Sequence, residues 1–189
     1  GVWFAAPTRS PGEVAGEPAW AAAVAGSDEA VVRGETGAAY VAGALALREG
    51  PLLEAAVRAL PRPPDVLLVN ASGRDHPRGA GLALHVGAVL GLPTVGVTDR
   101  PLLASGPEPG RERWSTSPLV LDGRIVAAWL RTRSGIRPLV VHPGWRTDLD
   151  TAIAIVRANV VRARTPEPLR LARRAARLAR ARDEGRLVA

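Results

Sequence analysis

The strongest constraint on this chain lies between Pro61 and Val97. Asp65-Val-Leu-Leu-Val-Asn70 is an unbroken apolar run, closed off upstream by Pro61–Pro64. Continuous rather than alternating hydrophobicity marks a strand buried on both faces. A loop rich in Gly and Pro follows, then a helix from about Gly79 to Leu90, then a second buried strand at Thr94–Val97. Strand, helix and strand at this spacing predict a βαβ unit with a right-handed crossover. In open α/β sheets ligands bind beyond the carboxyl ends of such strands. Asn70 and the loop to Arg78, together with Thr98 and Asp99, are therefore the first candidates for a site.

The remaining elements are arranged around this unit. Val2–Ala6, Ala19–Ala25 and Ala30–Arg33 predict a meander with a Pro11–Gly12 turn after its first strand, although alanine is a poor strand former. Leu52, Leu53, Ala56, Val57 and Leu60 recur at helical spacing behind Pro51, which suits a first helical turn, so a helix is expected over 51–60. Ser117–Leu121 and Arg124–Arg131 are joined by the hairpin signal Asp122-Gly123, and Leu139–His142 is a further strand. A helix over 148–163 opens with Asp148 and Asp150 at its positive end. After the Pro166–Pro168 break comes an Arg-rich helix over about 168–182.

Composition excludes several classes. With 189 residues and 47% hydrophobic content, the chain can bury one core. No apolar run approaches the roughly 18 residues of a membrane span, and no signal-like segment opens the sequence. A soluble, cytoplasmic protein with no membrane partner is expected. The absence of Cys and the presence of only three His exclude a disulfide framework and argue against a transition-metal cluster. The net charge of +7 suggests nucleic acid until it is located. Residues 162–186 hold nine Arg against three acids, a surplus of six, which leaves the rest at +1. All 25 basic residues are Arg, with no Lys or Gln, a pattern of GC-rich coding before it is one of phosphate binding.

Several side chains could carry chemistry, each with a plainer alternative. Asn70, Ser72, Arg74, Asp75, His76 and Arg78 form a polar loop after a buried strand, where scaffolded functional residues gather. His76 and Arg78 could together hold a phosphate; alternatively His76 caps local carbonyls. Glu49, just before Gly50-Pro51, is a candidate acid or a carboxylate complementing a helix dipole. Trp3, Tyr40 and Trp145 fit core or rim positions, and the C-terminal arginines fit a solvated face that offers phosphate a weak contact.

Six blocks in order resemble endonuclease V, the RNase H-like nucleases that cut near deoxyinosine or inosine. They are Tyr40-Val-Ala-Gly-Ala-Leu-Ala-Leu-Arg-Glu-Gly-Pro51, Pro64-Asp-Val-Leu-Leu-Val-Asn70, His76-Pro-Arg78 with Gly81-Leu-Ala83, Pro93-Thr-Val-Gly-Val97, Leu130-Arg-Thr-Arg133 and Pro143-Gly-Trp-Arg146. The resemblance implies an α/β chain of the RNase H-like, endonuclease V type, with a mixed central sheet flanked by helices. Residues 1–165 form the family-like domain and 166–189 an Arg-rich C-terminal helix and tail.

The family holds Mg²⁺ with carboxylates from neighbouring strands, and the cation activates water and stabilises the leaving oxygen. By resemblance Glu49 matches the metal-binding Glu. The first Asp corresponds to Trp3, the second to Asn70, the catalytic His to Trp145 and the Lys to Asp99. The wedge keeps Tyr40 but has Ala39 and Ala42 in place of its two prolines. Tyr40, Gly43, Leu45, His76 and Arg78 match the flipped-base pocket, with Asn70, Ser72 and Asp99 beside it. Loss of acid–base help alone removes about 10²–10⁴ in rate. The expectation is therefore a degenerate homologue without its Mg²⁺ site or any other cofactor, a non-catalytic or repurposed binder of a nucleobase, nucleotide or modified nucleic acid. The alternatives are an active Mg²⁺-dependent endonuclease whose site is rebuilt from Glu49, Asp75 or Asp99, a metal-free enzyme of small-molecule metabolism using Arg146 and the same cleft, and a structural partner protein.

Overall fold

A computed structural model describes residues 1–8 and 12–186, so Pro11 of the expected turn lies outside the described residues. The chain divides into two compact units, Gly1–Pro64 with Pro168–Ala189, and Asp65–Glu167.

The first unit is built on an antiparallel meander of β1 (Val2–Ala5), β2 (Pro18–Ala25) and β3 (Asp28–Glu35). Ala19, Ala21, Ala22 and Ala23 of β2 are fully buried, on both faces. Helix α1 (Leu45–Arg58) packs on one face, and α4 (Glu167–Asp183) sets Ala175 and Ala176 against Ala5, Trp20 and Ala22 on the other. Small side chains let both helices approach the sheet, which outweighs alanine's weak strand preference. The indole N–H of Trp20 donates to Asp183 at 2.7 Å, tying the end of α4 to β2.

Helix α1 corrects the expected boundaries of 51–60. It starts at Leu45 and carries Pro51 inside it. Proline removes one helical N–H and crowds the carbonyl four residues earlier. Here the 36–38 loop occupies that face of the helix. Gly37 donates its N–H to the Arg48 carbonyl at 3.0 Å, and a Cβ at Gly37 would collide with the Leu47 carbonyl oxygen. The interruption is absorbed by packing, and the helix continues through Glu49.

The second unit carries the sheet β4-β5-β8-β7-β6, with β4 (Leu67–Val69), β5 (Thr94–Thr98), β6 (Thr116–Leu121), β7 (Arg124–Leu130) and β8 (Leu139–Pro143). It is mixed: β4 and β5 are parallel, as expected of the strand-helix-strand segment, and the other pairs are antiparallel. Between β4 and β5 runs α2 (Leu82–Leu90), starting after the extended Gly81 rather than at Gly79, whose φ is +64°. Asp122 and Gly123 both have positive φ, the requirement of a type I′ hairpin turn. Helix α3 (Leu149–Ala158) is capped by Asp148, whose side chain accepts from the Thr151 N–H at 2.8 Å. It ends five residues before the expected 163, where Asn159 donates its side-chain amide back to the Ile155 carbonyl at 2.8 Å. Among the described residues no helix is long and apolar enough to cross a membrane.

Candidate functional site

Within the first unit, β1, the loop after it and α1 enclose a cleft of about 350 Å³, lined by Phe4, Ala6, Pro7, Gly12, Tyr40, Arg48 and Glu49. Among the described residues its charged groups are Arg48 and Glu49, neighbours in sequence. Arg48 is buried, contacts Glu17 at 2.6 Å and donates to the Ala38 carbonyl at 2.9 Å. Its charge is thereby matched by a carboxylate other than that of Glu49. Glu49 is mostly buried, and burial pushes its pKa up to about 7 against the weaker opposing pull of Arg48. A perturbed carboxyl in a cleft is the pattern expected of a functional acid. Glu49 also lies at the fifth residue of α1, so it does not complement the first-turn dipole.

Tyr40 stands at the lip of the cleft, 61% exposed, with its N–H donating to the Gly12 carbonyl at 2.7 Å. Gly43 adopts φ +75° and Leu45 opens α1; neither lines the cleft. Trp3 does not line it either. On β1 successive side chains alternate faces. Trp3 packs with Ala5 and Trp20 under α4, where Arg173 stacks 5.1 Å from its ring centroid, whereas Phe4 faces the cleft. The tryptophan therefore leaves the space beside Glu49 open.

In the second unit the polar loop after β4 gives Asp75 a structural role. Asp75 is fully buried and accepts three backbone N–H groups, from Leu102, Leu103 and Ala104, each at 2.7 Å. Both oxygens are committed to shaping that loop, which removes Asp75 from the candidate metal ligands. Asp99 is exposed and paired with Arg164 at 2.7 Å. His76 is buried, and its Nδ1 accepts the Arg78 N–H at 3.2 Å. Asn70 is exposed at the end of β4, and the Ser72 carbonyl accepts from Ala83 at 3.2 Å. Trp145 is half-buried with its Cβ close over Gly87, a position where any larger residue would collide with it. Arg146 beside it is exposed in a left-handed conformation with φ +52°.

Sequence reasoning missed His142, which is fully buried on β8 opposite Gly96. The Thr98 hydroxyl donates to the Arg100 carbonyl at 2.8 Å, so the 2.9 Å contact with His142 is a donation from its Nε2–H. Nδ1 has no partner among the described residues, and burial lowers the pKa to about 4, opposed by Asp75. It missed Phe4 as a cleft residue as well, although strand alternation alone separates it from Trp3. Among the described residues no three His, Asp or Glu side chains converge as metal ligands.

The Endonuclease V family model matches residues 19–174. The chain is 43% identical over 148 residues to Endonuclease V of Azotobacter vinelandii, covering 78% of this chain and 67% of that protein. Across this and the next relatives, from Streptomyces avermitilis and Thermus thermophilus, it spans 60–67% of the full length. The crystal structure of the Streptomyces avermitilis Endonuclease V superposes with a TM-score of 0.86 at 37% identity, over 97% of this chain and 81% of that one. The Ciona intestinalis Endonuclease V, solved with a 24mer DNA containing an inosine followed by a ribo-adenosine, shares the fold with a TM-score of 0.71 at 19% identity, over 96% and 86%. The RNase H-like, endonuclease V type of fold expected from the resemblance is thus observed. The expectation of a non-catalytic or repurposed homologue is corrected: relatives 43–46% identical carry the name Endonuclease V, and nothing in the chain's likeness to them marks a loss of activity. The loss was inferred partly from Trp3, which stands on the opposite face of the sheet from the cleft.

Proposed function

Because this chain belongs to the endonuclease V family, we propose that it is a divalent-cation-dependent endonuclease acting on nucleic acid beside deoxyinosine or inosine, with Glu49 as the carboxylate of its cleft. The observation that supports this most directly is a mostly buried cleft carboxyl whose pKa is pushed up to about 7, next to an arginine already paired elsewhere. Such a group lacks positive charge, which a cation would supply. Mg²⁺ is commonly held by one or two carboxylates together with substrate phosphates and water. A single cleft carboxylate fits that mode, and Glu49 would be the protein's ligand. When bound, the cation would lower the pKa of water and stabilise the leaving oxygen of the phosphodiester.

The chain's own groups have separate tasks. Glu49 changes protonation near neutral pH, so it can accept a proton from an attacking water or give it up on meeting positive charge. Tyr40, exposed at the lip, offers an aromatic face on which an extruded base can stack. The Arg48–Glu17 pair fixes the turn of α1 that carries Glu49. Along α4, Arg177 is exposed, and its pKa is lowered by desolvation and by the like charges of Arg173 and Arg180. A polyanion relieves that repulsion, in keeping with a nucleic-acid partner.

The test is a nicking assay on end-labelled DNA and RNA containing one deoxyinosine or inosine, with Mg²⁺ or Mn²⁺. Cation-dependent cleavage near the modified base, lost in Glu49→Gln, is the expected result. No cleavage with either cation, or full activity in Glu49→Gln, overturns the proposal.

A further inference from the structure

The second unit carries a second charged feature outside the cleft. Trp114 adopts φ +73°, a left-handed conformation that is strained for a bulky side chain. Its neighbours hold it there: its N–H donates to the Arg131 carbonyl at 2.7 Å, and its carbonyl accepts from Arg157 Nη2 at 2.7 Å. Arg131 is buried and donates to the carbonyls of Gly110, Pro109 and Ile136, which pins the 108–114 loop to the 131–137 loop. The strained turn sets the indole beside two guanidinium groups. The Arg113 Cζ lies 4.3 Å and the Arg157 Cζ 5.7 Å from the ring centroid.

Both arginines are exposed, and neither has a carboxylate partner among the described residues. Arg113 commits Nε to the Thr132 carbonyl at 3.2 Å and keeps both terminal nitrogens; Arg157 keeps Nε and Nη1. Stacking holds two cations in place with unused N–H groups facing water, so little order is left to impose when an anion arrives. Arg111 and Arg133 are exposed on the two stapled loops. Of the acids there, Glu108 reaches buried Arg131 at 3.6 Å and Glu112 is exposed.

We propose that Arg113 and Arg157, set by Trp114, form a phosphodiester-binding surface that grips the backbone of the nucleic-acid substrate and is made of residues other than those lining the Glu49 cleft. The shared ligand chemistry is phosphate, and the continuation of positive charge onto Arg111 and Arg133 favours a polynucleotide over a free ion. The proposal rests on the nucleic-acid reading given above, but not on the cleavage chemistry.

The test is equilibrium binding of a fluorescent deoxyinosine-containing duplex to the full chain in EDTA, over a series of NaCl concentrations. Arg113→Gln/Arg157→Gln is expected to weaken binding and to lower the slope of log K against log salt by about 2, the release of counterions from two phosphates. Arg113→Lys/Arg157→Lys keeps the charges and should keep the slope. Trp114→Gly, which tolerates the positive φ, should weaken binding while leaving the fold's thermal stability largely intact. An unchanged slope in the Gln variant overturns the proposal, as does a lowered slope that Lys does not restore, since that marks a structural role. Orthophosphate at matched ionic strength should not displace the duplex; displacement that depends on these two arginines assigns the site to free phosphate and overturns the polynucleotide reading. Glu49→Gln should lose nicking and keep the salt slope, so failure of the nuclease reading is seen separately from failure of this one.

Discussion

Replacing Glu49 by glutamine tests the electrostatic character of the cleft through stability alone. The carboxyl has a native pKa of about 7 against an ordinary value of 4.5. The group binds its proton more tightly when folded, so its favourable contribution is greatest below pH 4.5, declines as pH rises, and has disappeared above 7. Relative to the protonated form, ionisation of the buried carboxyl then costs the fold about 3 kcal/mol, the free energy of that difference in pKa. Glutamine is close to the protonated carboxyl in shape and carries no charge. At pH 5 the variant and the parent should differ by less than about 1 kcal/mol, and at pH 8.5 the variant should be more stable by up to about 3 kcal/mol. For a chain of this length that is a rise in Tm of roughly 6–10 °C. Urea or thermal melts of both proteins in metal-free buffer, compared at each pH, cancel the titration of every other group. An equal difference at pH 5 and pH 8.5, or a Glu49→Gln protein that is less stable at pH 8.5, would refute the assignment of an uncompensated buried carboxyl.

The same carboxyl makes cation binding depend on proton release: isothermal titration should show Mn²⁺ affinity rising about tenfold per pH unit below 7 and levelling off above it. Arg48→Met removes the guanidinium that Glu17 meets at 2.6 Å and should cost about 3–5 kcal/mol in urea unfolding, with part of it recovered by adding Glu17→Leu. Asp75→Asn places an amide N–H₂ against the backbone donors of Leu102–Ala104 and should cost roughly 2–3 kcal/mol, with faster amide exchange confined to that loop. For His142 the sign is opposite to that of Glu49. Its native pKa is about 4, below the ordinary 6.5, so the stability it contributes is present above 6.5 and is lost as pH falls through 4. His142→Phe should reduce that acid sensitivity by up to about 3 kcal/mol, measured as the difference from the parent between pH 7 and pH 4.

Local signals marked most of the elements correctly, and they failed where a distant partner decided the outcome. Pro51 reads as a helix start in any window of sequence, but the 36–38 loop lets α1 run through it. That extension moved Glu49 from an expected N-terminal position to the helix interior. The alanines of β2 read as poor strand formers, and two covering helices made them a buried strand. Asp75 and His76 looked like loop chemistry because polar residues after a buried strand commonly are. The hydrogen bonds of Asp75, to backbone groups 27–29 residues away, make it architectural, and His76 accepts one from the backbone two residues on. The aligned position of Trp3 suggested a lost metal ligand, and the pleat of β1 turned the side chain to the other face.

The sequence by itself determined the strand-helix-strand segment, the meander, the type I′ hairpin and the family likeness. Each depends on neighbours a few residues apart or on blocks whose order can be compared directly. The tertiary structure alone decided which charged groups have partners. A carboxylate's chemistry is set by what lies within a few ångströms of it, and those groups come from remote parts of the chain. Glu17 reaches Arg48 across 31 residues, and the 101–104 loop reaches Asp75 across nearly as many, so both are balanced. Glu49 is mostly buried without an ion-pair partner among the described residues, and for that physical reason it is the residue on which the proposed reaction turns.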